Sequence, residues 1–89
     1  MLKIKDNVDL KELEKFGFRQ NEFHPNYVYE TRAKSGSIVV IIVDEITREI
    51  TGYVNFIENI KMNEEQIKHF HPSIFEKGLV EKVGGKSDI

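Results

Sequence analysis

The hydrophobic positions change their spacing twice along this chain. Leu10, Leu13 and Phe16 recur at helical spacing, the residues from Tyr27 onward alternate with a two-residue repeat, and the helical spacing returns after Met62. Asp9 is placed to cap a first helix beginning at Leu10. Glu12 stands at the capping-box position, and Val8 and Leu13 occupy the two positions of a hydrophobic staple. Gly17 predicts a stop after Phe16 in a left-handed conformation, with Phe18 folding back on Leu13. Such a helix, about two turns long, does not hold in water by itself, so Leu10, Leu13, Phe16 and Phe18 must find tertiary packing.

The segment "RQNEFHPN" is rich in turn formers, with His24-Pro25 organising the turn before the first strand. Tyr27, Tyr29 and Thr31 then alternate with Val28, Glu30 and Arg32, the pattern of a half-buried strand. "AKSGS" reads as a hairpin turn. The run Ile38 to Val43 is apolar on both faces and predicts the central strand of a sheet. A four-residue loop over Glu45 to Arg48 leads into "EITGYVNFI" as a second hairpin. In the last third, Asn63 and Gln66 form a capping box, Met62 and Ile67 a staple, and Glu64 and Glu65 favour the positive helix end. Pro72 pushes His71 out of the helical region, which predicts one short helix to about Phe70 and a second from Pro72. Gly78 stops that one as Gly17 stops the first, with Leu79 reaching back to Ile74. "LVEKV" reads as a short final strand.

The expected architecture is α+β: a three-stranded antiparallel meander with two or three short helices packed on one face. Residues 1–83 are expected to form a single domain and 84–89 a flexible C-terminal tail. A chain of 89 residues has room for one core, burying roughly 60–65% of the unfolded surface.

Composition narrows the function classes. The 39% hydrophobic and 31% charged residues are those of an ordinary globular domain, and no stretch approaches a membrane span. Lys3, Lys5, Asp6 and Asp9 interrupt any signal-peptide core, and cysteine is absent, so the expected location is cytoplasmic. A formal net charge of −2, with only Arg19, Arg32 and Arg48 spread along the chain, argues against nucleic acid as a partner.

The chemical candidates are thin. His69 and His71 are two residues apart, a spacing that sends helical side chains to opposite sides, and a third ligand would have to come from His24 or a distant carboxylate. They are expected to be partly exposed loop histidines, with no metal site. Ser35, Ser37, Ser73 and Ser87 fall in turns, caps or tail, and Asp44-Glu45 borders a hairpin loop. "KSGS" lacks the phosphate-binding pattern of a P-loop. No catalytic, cofactor-binding or metal-ligating residues are assigned, no cofactor is expected, and no small-molecule substrate is evident. The chain is expected not to be an enzyme.

Two resemblances carry further expectations. "IFEKGLVEKV" resembles the segment of winged-helix DNA-binding domains in which a helix ends at "kGLV" and leads into a β-wing, although only about six residues follow Val83 and "NEEQIKHF" starts acidic where a recognition helix is basic. "KIKDNVDLKELEKFGF" and "GLVEKV" together look like the small proteins encoded by phages and prophages of Gram-positive bacteria. That resemblance implies an accessory or regulatory protein that binds a host or phage macromolecule, and it supplies no catalytic residues. A protein partner or a homodimer is the expected mode of action, with a small winged-helix-like nucleic-acid-binding regulator as the alternative. The homodimer follows from Ile38, Val40 and Ile42 on one sheet face and Val39, Ile41 and Val43 on the other, since short helices cover only one.

Overall fold

Alternation in the middle third builds the frame. In the computed structural model, which describes residues 1–55 and 59–84, strands β3 (Asn26–Arg32), β4 (Ile38–Asp44) and β5 (Glu49–Asn55) pair antiparallel as a meander. The turn after β3 closes through Ala33 N–H to Ser37 O at 2.8 Å. In the four-residue loop after β4, Asp44 Oδ1 accepts from the backbone N–H of Ile46 (2.8 Å) and Thr47 (2.9 Å). Phe56 and Ile57, the end of the expected third strand, lie outside the described residues.

The sheet is larger than the meander. Among the described residues, four short strands extend it to seven: β1 (Leu2–Ile4), β2 (Arg19–Gln20), β6 (Asn59–Lys61) and β7 (Val80–Lys82). The order is β2-β3-β4-β5-β1-β7, with β6 also paired to β5, and every pairing found among the described residues is antiparallel. The expected three-stranded sheet is therefore its centre. Both termini of the described chain meet at β1 and β7, where Leu2 stands opposite Lys82 on one side and Ile50 on the other.

Three short helices follow the predicted boundaries. The first, Leu10–Phe16, winds as a 3₁₀ helix capped by Asp9, whose carboxylate accepts from Lys11 N–H. The expected reciprocal bond from Glu12 does not form. The tighter winding brings Glu12 to Lys15 instead, at 3.1 Å. Helix α1 (Glu64–Phe70) has the full capping box between Asn63 and Gln66, and α2 (Pro72–Glu76) starts on its proline. Gly17 (φ 90°) and Gly78 (φ 75°) are left-handed, and each closes a Schellman motif: Phe18 N–H to Leu13 O at 3.1 Å and Leu79 N–H to Ile74 O at 3.0 Å.

Leu13, Ile67 and Ile74 bring the helices into one core with Val39, Ile41 and Val43 of β4 and with Leu2, Ile4 and Phe18. At Gly52 the approach is so close that a Cβ would stand 2.5 Å from Met62 Cε and 3.1 Å from Ile67 Cγ1. A glycine in mid-strand thus lets the staple of α1 seat on the sheet. Arg48 holds the opposite end: at φ 65° its guanidinium donates to the carbonyls of Lys5 (2.8 Å) and Val8 (2.7 Å), tying the β4–β5 loop to the segment after β1. The expected tail falls, apart from Gly84, outside the described residues.

Candidate functional site

Odd-numbered residues of β4 face the helices, so even-numbered ones face away. Ile38, Val40 and Ile42 are half-buried on a sheet face that carries none of the core helices, while Val39, Ile41 and Val43 are fully buried on the other. Register extends this open face sideways. Val28 and Thr51 flank Ile42, and Glu30 and Tyr53 flank Val40. The centre is a band of Val28, Ile38, Val40, Ile42 and Tyr53. Its borders are charged: Arg19, Glu30 and Arg32 lie on the β3 side, with Lys61, Glu49 and Lys3 on the β5 side. An apolar middle inside a mixed-sign polar border has the anatomy of a protein-binding patch.

Beyond the Ile42 end of this face, two large apolar side chains stand in solvent. Phe23 is 85% exposed and Ile46 is 79% exposed. Their loops are joined, because Glu45 N–H donates to Pro25 O at 2.8 Å and Gln20 Nε2 to Glu45 Oε2 at 3.1 Å. The Phe23 loop is also braced locally, with Phe23 N–H donating to Asn21 Oδ1 at 2.9 Å. Sequence reasoning missed this pair, since an apolar residue inside a turn gives no periodic signal.

The arginines do not gather. Arg48 is committed to two backbone carbonyls and Arg32 donates to Gly36 O at 2.9 Å, while Arg19 stands at the sheet edge. β7, part of the segment carrying the winged-helix resemblance, pairs with β1 as the last strand of the sheet.

His69 and His71 are not brought together. His69 is exposed and lies edge-on to Phe70. His71, expected at the surface, is buried at 5% exposure. Its ring stacks on Phe18 (5.2 Å between centroids, 23°) and packs against Tyr29 (4.3 Å), and its Nε2–H donates to Phe16 O at 2.8 Å. The residue therefore joins the end of the 3₁₀ helix to the break between α1 and α2. Its burial was hidden because Phe18 and Tyr29, which close over it, are remote in sequence. Among the described residues, no three His, Asp or Glu side chains are grouped to hold a metal ion.

The perturbed ionisable groups have local structural causes. Backbone N–H groups of Thr47 and Ile46 hold the Asp44 carboxyl below the usual carboxylate range, and a hydrogen bond from Lys3 does the same for Asp6. Burial, followed by the negative charge of Glu45, pushes the Tyr27 phenol up. Ser35 and Ser37 bond to each other in the β3–β4 turn, Ser73 lies in the first turn of α2, and Ser87 is outside the described residues.

Comparison of the chain with known protein families, curated proteins and solved structures finds no match. Among the described residues no helix is long and apolar enough to cross a membrane.

Proposed function

We propose that this chain is a cytoplasmic, non-enzymatic accessory protein that acts by binding another protein through the open face of its sheet, in keeping with the phage-encoded proteins it resembles. One observation carries this reading: Ile38, Val40 and Ile42 form a β-branched row on the face without helices. Fully burying one such side chain contributes roughly 1.5–3 kcal/mol, so a partner that covers the row gains a substantial driving force. Phe23 and Ile46 add two exposed anchors near one end of the band, and aromatic anchors dominate the energetics of protein interfaces.

Charge favours a protein over nucleic acid as the partner. The border of the band is of mixed sign, with Glu30 set between Arg19 and Arg32 on one side and Glu49 between Lys61 and Lys3 on the other, whereas counterion release needs a cluster of one sign. Affinity capture from host-cell lysate, with and without nuclease, tests the reading. A protein recovered equally in both conditions supports it. Recovery abolished by nuclease would support the winged-helix-like regulator instead.

A further inference from the structure

The outer edge of β3 is open over part of its length. β2 is two residues long and pairs only with Tyr27 and Val28, because the chain turns away at the left-handed Gly17. Backbone direction along β3 follows from its flanking bonds. Pro25 and Ala33 bond to Glu45 and Ser37 across the β4 side, so the odd residues between them point their N–H and C=O groups toward β4. Asn26 O accepts from Asn21 N–H at 2.9 Å, which places the even residues outward. Among the described residues, no partner bonds to the outward backbone groups of Glu30 and Arg32. A cleft of about 530 Å³, with Gly17, Arg19, Val28 and Glu30 in its lining, runs beside this edge.

We infer that this edge pairs with the same edge of a second copy, antiparallel, about a two-fold axis at Thr31. The register is set by backbone direction and charge. Only Glu30 and Arg32 offer outward groups within the open stretch, so a symmetric pairing sets Glu30 opposite Arg32 of the second copy or each residue opposite itself. The self-opposed registers put Glu against Glu or Arg against Arg. The remaining register makes two Glu30–Arg32 pairs, each on the open face and each exchanging both backbone bonds. Charged residues on an edge strand ordinarily discourage pairing. Here the Glu-Thr-Arg order is self-complementary, so the same charges discourage unlike partners and admit a copy.

This pairing would join two seven-stranded sheets and leave the apolar bands side by side on one continuous face. It does not depend on the protein-binding reading of that face. It differs from face-to-face packing, which would cover the band.

Sedimentation equilibrium over the micromolar range tests the inference, with amide hydrogen exchange as a second readout. The wild-type chain is expected to dimerise, with protection of the Glu30 and Arg32 amides rising with concentration. Glu30→Arg or Arg32→Glu alone should weaken the dimer about tenfold or more, and the double variant E30R/R32E should restore it. Unchanged thermal melting separates these effects from loss of folding, and Val40→Lys should leave the dimer intact. A monomer at every concentration overturns the inference, as does a dimer indifferent to the single reversals. A dimer lost in Val40→Lys but kept in both reversals would place the interface on the face and also overturn it.

Discussion

Val39, Ile41 and Val43 are sealed from solvent by the helices, whereas Ile38, Val40 and Ile42, alternating with them along the same strand, are only partly buried. Side-chain chemistry is the same on both faces, so the difference lies in what the rest of the chain can cover. Three helices of five to seven residues suffice for one face of a seven-stranded sheet. The sealed face is where stability is concentrated, and the open face is where binding is proposed.

Substitution on the two faces should give unequal effects. Ile41→Ala leaves a cavity at a fully buried site and should destabilise the fold by about 3 kcal/mol, whereas Ile42→Ala on the open face should cost about 1 kcal/mol, both measured by denaturant unfolding. Equal costs would mean that the open face is sealed in solution.

The two histidines sharpen the same contrast. His71→Ala removes a buried ring and leaves the Phe16 carbonyl without its donor, for an expected loss of about 2–3 kcal/mol. His71→Phe, which keeps the ring and loses the bond, should recover part of that loss. His69→Ala, at an exposed position, should change the melting temperature little.

Much of this arrangement could be read from local chemistry, because caps and turns act over a few residues. Gly17, Gly78, the Asn63–Gln66 box and the β3–β4–β5 meander all follow from residues adjacent in sequence. The short strands do not. A three-residue strand such as Leu2–Ile4 shows no period, and its partners Ile50 and Val80 are set by the closed fold. "RQ" looked like turn because β2 consists of nothing else. The open face was readable from alternation in β4, whereas Phe23 and the burial of His71 were not, since each depends on where distant segments meet.

Smaller effects test the local chemistry. Gly17→Ala and Gly78→Ala should each cost on the order of 1 kcal/mol for placing a Cβ at positive φ. Gly17 should be the worse, because its Cβ would also stand 3.2 Å from the Tyr29 ring, whereas at Gly78 the nearest approach among the described residues is Lys5 Nζ at 3.9 Å. Acid pH should act through Asp44 at the β4–β5 loop. Its folded pKa is depressed, so its contribution is present above the unfolded carboxylate range and is lost as pH falls through the folded value. Asp44→Asn should flatten that acid limb slightly, as read by melting temperature against pH.

The open face itself is tested most directly by Val40→Lys, a charge placed in the middle of the apolar band where no core contact is lost. Nuclease-treated affinity capture would be run with wild type and variant in parallel, each shown by thermal melting to be folded. A protein partner is expected to be held by the wild type and lost from the folded variant. A partner captured equally by both would contradict it.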